Sequence, residues 1–174
     1  MTAAVSVVSA FPAGPGDDAT ALVFEYLAAT QAETGRPHPA GIGELPAVLQ
    51  RECRNLPGVY RAPGALLIAR CDGRPAGCVG LVSWSPERTA EVKRLYVRPA
   101  HRGQGIARTL MSHAHHHAAQ RDLTKLVLDV LPSRAAVIGF YRRLGYTETG
   151  PYGTRSPVPL TYLARAVTRD DMLG

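Results

Sequence analysis

The chain has 174 residues, of which 45% are hydrophobic and 20% are charged. This composition is typical of an ordered globular protein, and the length suits one domain with a substantial core, which we expect to span residues 1–174. The net charge is +6, but the basic residues are scattered and no nucleic-acid-binding motif accompanies them. We therefore expect a phosphate-bearing small molecule, and no nucleic acid, as the anionic partner.

Hydropathy and cysteine usage exclude several further classes. No apolar run reaches the roughly 20 residues of a membrane span, and residues 1–11 lack the basic-then-apolar pattern of a signal peptide. The three cysteines, Cys53, Cys71 and Cys78, are odd in number and irregularly spaced. They predict neither a disulfide framework nor a zinc site. We expect a cytoplasmic protein with reduced thiols and no membrane partner.

The first part of the chain predicts a strand, a long helix and a short helix. Residues 2–11 are rich in valine, which favours a β-strand. Asp17 or Asp18 can cap a helix, because apolar residues recur at helical spacing just after them. Residues 34–64 are rich in glycine and proline, and a short helical pattern at residues 45–49 interrupts them.

The middle of the chain predicts three strands. Apolar runs over residues 65–71 and 76–84 flank Asp72-Gly73-Arg74-Pro75, and such a Gly- and Pro-containing link between two runs indicates a β-hairpin. Residues 90–97 form a third run. Pro99 ends its hydrogen-bond ladder, because proline has no N–H to donate.

The last part alternates helices and strands. Residues 104–120 place apolar side chains on one helical stripe. Residues 125–131, 146–149 and 160–167 predict strands, and Ser133 is expected to cap the helix after the first of them. The buried face of that helix is expected to carry Ala136, Val137, Phe140 and Leu144. The complete order, β-α-α-β-β-β-α-β-α-β-β, predicts a mixed α/β fold.

The most informative segment is Arg102-Gly103-Gln104-Gly105-Ile106-Ala107, which leads from a predicted strand into a predicted helix. A helix N-terminus carries unpaired backbone N–H groups and partial positive charge. Glycines at 103 and 105 remove the side chains that would block close approach of a diphosphate. The segment therefore predicts a phosphate-binding turn. The alternative is a plain helix-entry turn, because glycine-rich turns are common.

Two motifs together resemble the GNAT superfamily of acyl-CoA-dependent N-acyltransferases. The first is Arg102-x-x-Gly105-x-Ala107 directly after the strand at residues 91–97, and the second is the Phe-Tyr-Arg-Arg-Leu-Gly-Tyr segment at residues 140–146. The predicted element order agrees with this family over nearly the whole chain. The stretch Leu56-Pro-Gly-Val-Tyr60 also resembles a bacterial subgroup whose substrates are mostly unassigned.

The resemblance implies an α/β (α+β) fold with a twisted, mostly antiparallel mixed sheet of about seven strands and about four flanking helices. The sheet would splay open between its fourth and fifth strands, and the pantetheine arm of acetyl-CoA, the implied cosubstrate, would enter the gap. No metal is implied. The implied cofactor-binding residues are Leu95, Tyr96, Val97, Arg102, Gly103, Gln104, Gly105, Ile106, Ala107, Arg108, Ser133 and Tyr141.

The resemblance also implies catalytic roles for two side chains in acetyl transfer to a primary amine. Tyr141 is expected to act as general acid toward the departing thiolate, and the alternative is a core tyrosine packed with Phe140 and Tyr146. Glu91 is expected to act as general base, directly or through water. Its alternative is an ion pair with Lys93, two residues along on the same face of the strand.

The acceptor is expected to be a small-molecule or peptide amine that approaches between residues 33–64 and the loop at 150–159. Acidic residues in or near the first region could attract its ammonium: Glu33, Glu44, Glu52 and Glu87. The family also allows a homodimer. Two alternatives stay open, namely a different short acyl-CoA as donor and a CoA-binding sensor or accessory module without turnover. His113 and His117 share a helix face, but no further ligands accompany them to predict a metal site.

Overall fold

The computed structural model describes residues 4–12, 14, 16–84, 87–153 and 156–172. At its centre is a seven-stranded sheet in the order β1-β2-β3-β4-β5-β7-β6. Neighbouring strands are antiparallel except β4 and β5, which run parallel. The mostly antiparallel mixed sheet is therefore confirmed. The strands are β1 (Val5–Ser9), β2 (Ala65–Cys71), β3 (Arg74–Trp84), β4 (Thr89–Val97), β5 (Lys125–Val130), β6 (Thr147–Glu148) and β7 (Thr161–Ala166).

Five α-helices flank the sheet within the described residues: α1 (Gly16–Glu33), α2 (Ala47–Arg54), α3 (Leu56–Val59), α4 (Ile106–Gln120) and α5 (Ala135–Arg143). The single turn of α3 was not predicted, because one turn is too short to show helical periodicity. Asn55 caps it by accepting the Gly58 N–H at 3.2 Å. Asp17 and Asp18 lie inside the first turn of α1 rather than at its cap, where their charges still favour the helix dipole.

Two expected segments fall partly outside the described residues: Thr2 and Ala3 of the first predicted strand, and Thr154 and Arg155 of the 150–159 loop. The predicted hairpin is present between β2 and β3. Asp72 and Gly73 form its turn with φ of 49° and 78°, the two positive values typical of a two-residue type I′ turn.

The parallel pair β4–β5 is short, and this shapes the site. Only Thr89, Ala90 and Glu91 pair with β5, opposite residues 125–127. On its other side β4 carries an irregularity opposite the Cys78–Gly80 segment of β3. There Arg94 adopts a φ of +57°, as expected for an extra residue in a β-bulge. Beyond Glu91 the strands part, so the splayed sheet expected from the resemblance is confirmed.

Apolar residues of the sheet divide between two cores, one on each face. Neighbours in β2 such as Leu67 and Ile68 point to opposite cores, as the two-residue period of a strand requires. One core includes α4 and α5, and the other includes α1, α2 and α3. The three cysteines are all buried and free. Within the described residues, no helix combines the length and apolarity needed to cross a bilayer.

The predicted stripe of α4 is buried as expected, including Ile106, Leu110 and Met111. The prediction for α5 was partly wrong, since of the four residues assigned to its buried face only Phe140 and Leu144 pack against the core, both partly buried. Its buried side chains are Ile138 and Tyr141, whereas three of the residues assigned to its core face line an open cleft: Ala136, Val137 and Phe140. Ser133 does not cap α5, because the N-cap position is Arg134 and no side chain bonds to the cap there. A helix face that lines a cleft can show the same apolar sequence pattern as a helix face that packs against a core. The sequence therefore does not distinguish the two.

Candidate active site

An open cleft of about 730 Å³ occupies the space where β4 and β5 part. The second half of β4 forms one wall, the end of β5 together with α5 forms the other, and side chains of α1 complete the lining. The cleft brings together eight of the predicted site residues: Glu91, Leu95, Tyr96, Val97, Arg102, Ala107, Ser133 and Tyr141.

The glycine turn provides a row of free donors beside the cleft. Gly103 and Gly105 have φ of 77° and 78°, and a β-carbon at either position would meet nothing within 4 Å. Gly105 is the N-cap of α4. The first α4 amide bond is Thr109 N–H to Gly105 O, and the amides of residues 103–108 have no acceptor among the described residues. Since the positive end of the helix dipole lies at the same point, an anion is favoured there.

The other predicted residues of the turn differ in the groups that they can present to a ligand. Arg102 is exposed, and its Nε donates to the carbonyl oxygen of Val97 at 3.1 Å, which keeps a guanidinium at the end of β4. The Gln104 and Arg108 side chains are exposed as well. Ile106 is buried in the core, so it can contribute only its backbone N–H.

Tyr141 belongs both to the core and to the cleft. Its ring makes edge contacts with Phe140 and Tyr146, at centroid distances of 5.4 and 5.5 Å, which is the packing expected of a core tyrosine. Burial, reinforced by the neighbouring Tyr26, raises the pKa of its phenol well above the ordinary value. The phenol is therefore protonated at neutral pH and is chemically a proton donor.

Glu91 lies at the last β4–β5 pair, where the cleft begins. The Lys93 ammonium lies 3.1 Å from both of its carboxylate oxygens, so the ion pair with Lys93 is present. The Glu91 side chain is only 13% exposed. This pairing fixes the position of a carboxylate at the apex of the cleft.

Residues 28–146 match the model of the Acetyltransferase (GNAT) family. This chain belongs to the GNAT acetyltransferase family. The matched segment runs from α1 through β4, the glycine turn and α5 to Tyr146, so it contains every predicted catalytic and cofactor-binding residue.

Relatives and solved structures agree with this placement. The IAA acetyltransferase of Azospirillum brasilense is 34% identical over 95 residues, 55% of this chain and 62% of the relative. The match thus spans less than two thirds of that relative. A GNAT-family acetyltransferase from Staphylococcus aureus superposes with a TM-score of 0.74 at 14% identity, covering 95% of this chain and 100% of the other. The yncA protein of Salmonella typhimurium, solved with its cofactor acetyl-CoA, superposes with a TM-score of 0.69 at 19% identity, covering 95% of both chains.

Sequence reasoning missed a buried polar network beneath the GNAT cleft. The Arg94 guanidinium donates to both carboxylate oxygens of Glu52, at 2.9 and 2.6 Å, and the Tyr60 hydroxyl donates to the same carboxylate at 2.8 Å. Arg94 also lies over the Tyr26 ring, 5.5 Å from its centroid. No local sequence signal indicates these contacts, because they join α1, α2, the end of α3 and β4 across the fold.

The acidic residues proposed to attract an acceptor are mostly engaged elsewhere. Glu52 is in the network with Arg94, Glu33 pairs with Arg134, and Glu44 accepts the Ala40 N–H at 2.8 Å. Asp129 of β5 lines the cleft and was missed. Its signal in the sequence was a single carboxylate at an exposed position of an otherwise apolar strand.

Two histidines of the α4 run make contacts within the fold. His115 is buried, with its Nε2 3.0 Å from the Tyr146 hydroxyl, and His117 Nε2 lies 3.0 Å from the carbonyl oxygen of Pro63. Burial lowers the pKa of His115 to about 4. Within the part of the chain that the structure describes, no three His, Cys, Asp or Glu side chains are grouped to hold a metal ion.

Proposed function

We propose that this GNAT protein transfers an acetyl group from acetyl-CoA to a primary amine, by direct attack of the amine while both substrates are bound. The observation that carries the proposal is the run of free amides at residues 103–108, beside a cleft that reaches Glu91 and Tyr141. A long thioester carrier requires a diphosphate-binding site at one end of a groove and a reacting centre at the other.

The residues present fit such a carrier. The amides and the dipole of α4 suit a diphosphate, and Arg102 can add a charge-assisted contact. Among the described residues, no strand pairs with the β5-facing edge of β4 at Leu95, Tyr96 and Val97, so this edge suits an amide-containing arm that hydrogen-bonds like an added strand. Ser133 lines the opposite wall. Acetyl-CoA, when bound, supplies a thioester carbonyl that is activated toward attack.

Tyr141 is proposed as the general acid. In the transfer a C–N bond forms and a C–S bond breaks, so the sulfur leaves with negative charge and needs a proton. The Tyr141 phenol lines the cleft and can supply it, because a phenol carries a proton at neutral pH. It then recovers its proton from solvent.

Glu91 is proposed as the proton acceptor for the amine, directly or through one water. An alkyl ammonium titrates near pH ~10, so it must lose a proton before it can attack. The Glu91 carboxylate accepts hydrogen bonds from Lys93 at the apex of the cleft. Its oxygens can take the amine proton there, directly or through one water.

The binding half of the proposal is tested by calorimetry with acetyl-CoA. A Gly105→Ala variant should bind at least about tenfold more weakly, because the added side chain strains a left-handed residue and enters the space open to the diphosphate. Gly35→Ala is the matched control. Its φ is 75° and its surroundings are equally open, but it lies outside the cleft. Equal affinity of both variants and the wild type would refute the amide site.

The chemical half is tested by thiol release from acetyl-CoA with a panel of primary amines. Amine-dependent release supports the enzyme, and binding without release with any amine supports a CoA-binding module instead. Repeating the assay with propionyl-CoA decides between donors. The more efficiently used thioester identifies the acyl group for which the pocket is shaped.

A further inference from the structure

One carboxylate of the cleft has no cation to balance it among the residues that the structure describes. Three carboxylates line the cleft: Glu33, Glu91 and Asp129. The first pairs with Arg134 and the second with Lys93, while the remaining lining cations are Arg94, bound to Glu52, and Arg102, beside the glycine turn. Asp129 has no ion pair or hydrogen bond within the described residues, and it is exposed to solvent. A ligand cation is its natural partner.

Asp129 shares a sheet face with Glu91. Glu91 pairs with Val127 in the parallel β4–β5 ladder, and Asp129 is two residues further on, so both side chains project to the same side. Tyr162 of β7 is directly opposite Asp129 and belongs to that face as well. The unbalanced carboxylate therefore lies just past the point where β4 and β5 part, beside the proposed proton acceptor.

A row of three aromatic rings continues this face. Tyr152, from the segment between β6 and β7, lies with its ring centroid 5.3 Å from that of Trp84 and 5.3 Å from that of Tyr162. All three are half-buried, so part of each ring is open to solvent. The Tyr152 hydroxyl is buried and has no hydrogen-bond partner among the described residues. Burial raises the pKa of this phenol, and the negative charges of Glu91 and Asp129 add to the effect.

These groups have the chemistry of an ammonium site. A carboxylate accepts charge-assisted hydrogen bonds from an ammonium, and aromatic faces attract a cation and cover an apolar stem. We propose that the acceptor of this GNAT protein is a primary ammonium on an apolar or aromatic stem. Asp129 holds the ammonium, and the stem lies against Trp84, Tyr152 and Tyr162. The inference rests on the proposed acyltransferase function, since it names the substrate class of the same site.

Trp84 makes the test independent of turnover. It is the only tryptophan of the chain, so intrinsic tryptophan fluorescence reports on this row of rings. The probes are phenethylamine, a cation at neutral pH, and phenethyl alcohol, an uncharged analogue of nearly the same shape. Each is titrated with and without saturating CoA, which occupies the carrier site without allowing transfer. The wild type should bind the amine about tenfold more tightly than the alcohol in at least one of these conditions.

The matched variants are Asp129→Asn and Asp170→Asn. Both remove one negative charge from an exposed position, but Asp170 lies in the turn at Arg169–Met172, away from the cleft. Asp129→Asn should lose about tenfold in amine affinity and nothing in alcohol affinity, whereas Asp170→Asn should match the wild type. Equal amine affinity in all three proteins, or no preference for the amine over the alcohol, overturns the proposal. Calorimetry with acetyl-CoA is independent of this result, so failure of the carrier site is distinguished from failure of the ammonium site.

Discussion

Arg94 and Glu52 join the bulge of β4 to α2 through a two-pronged ion pair that is almost removed from solvent. Their side chains are only 16% and 11% exposed, and Arg94 is the residue of β4 with the left-handed backbone. Burial opposes ionisation of Glu52, but the hydrogen bonds and charge of Arg94 outweigh it and lower the carboxyl pKa. The pair therefore fixes the shape of the strand that forms one wall of the cleft.

A Glu52→Gln variant should lose about 3–5 kcal/mol of unfolding free energy, because it leaves the Arg94 guanidinium buried without a counter-charge. Urea unfolding followed by circular dichroism measures the loss. Glu148→Gln is the control, since it removes one partner of an exposed ion pair with Arg142, and it should lose less than about 1 kcal/mol. Similar losses in the two variants would show that the buried ion pair contributes no more to the unfolding free energy than the exposed one.

Two tyrosine-to-phenylalanine changes should act in opposite directions on stability. Tyr60→Phe removes a hydroxyl that donates to the Glu52 carboxylate and should lower the unfolding free energy by about 2 kcal/mol. Tyr152→Phe removes a buried hydroxyl without a partner and should leave that free energy unchanged or raise it by up to about 1 kcal/mol. A loss of stability in Tyr152→Phe equal to that in Tyr60→Phe would indicate a hydrogen bond to Tyr152.

The buried His115 should make stability depend on pH between about 6.5 and 4. Its pKa is about 4 when folded and near 6.5 in a model peptide, so in this window the unfolded chain binds more protons. The contribution of His115 to the unfolding free energy is fully present above pH 6.5. It is lost as the pH falls toward 4, by about 3 kcal/mol in total. The check is urea unfolding at a series of pH values.

Substitution of His115 should show how much of the change of unfolding free energy with pH is due to this residue. His115→Gln cannot titrate, so its unfolding free energy should decline less steeply than that of the wild type over the same window. His113→Gln, at an exposed position of the same helix, should retain the wild-type slope. An unaltered slope in His115→Gln would show that His115 does not carry the pH dependence of this window.

Tyr141→Phe should lower kcat by about 100-fold with little change in the Kd of acetyl-CoA, because it removes the proposed proton donor and keeps the ring. Steady-state thiol release and calorimetry measure the two quantities. Tyr146→Phe is the comparison, since its hydroxyl contacts His115 in the core. It should lower stability but leave kcat within a few-fold. Full turnover in Tyr141→Phe would assign that residue to packing alone.

The sequence was most informative where a backbone conformation requires a particular type of residue. The glycine turn could be located because two left-handed positions require glycine just before a helix, and strands β2 to β5 were found because their apolar runs are bounded by turn residues. The Arg94 bulge could not be predicted. A non-glycine residue with positive φ leaves no mark in the sequence, and its stabilising partner Glu52 is 42 residues away.

The same limit applies to the walls of the cleft. Val137 and Phe140 carried the signal of a buried helix face, and only the parting of β4 and β5 shows that this face lines an open groove. Asp129 is the reverse case. A carboxylate within an apolar strand could have been noticed, but its meaning depends on which neighbouring cations are already paired, and that requires the fold.

The burial of Cys53, Cys71 and Cys78 has a practical consequence for measuring this protein. Burial raises the pKa of Cys78 to about 12 and also raises that of Cys53, so neither sulfur is a ready nucleophile at neutral pH. A chromogenic disulfide reagent added to the folded protein should therefore develop colour slowly. Colour that forms promptly during a reaction would come from the released carrier, and the slow background would itself report the rate at which the core opens.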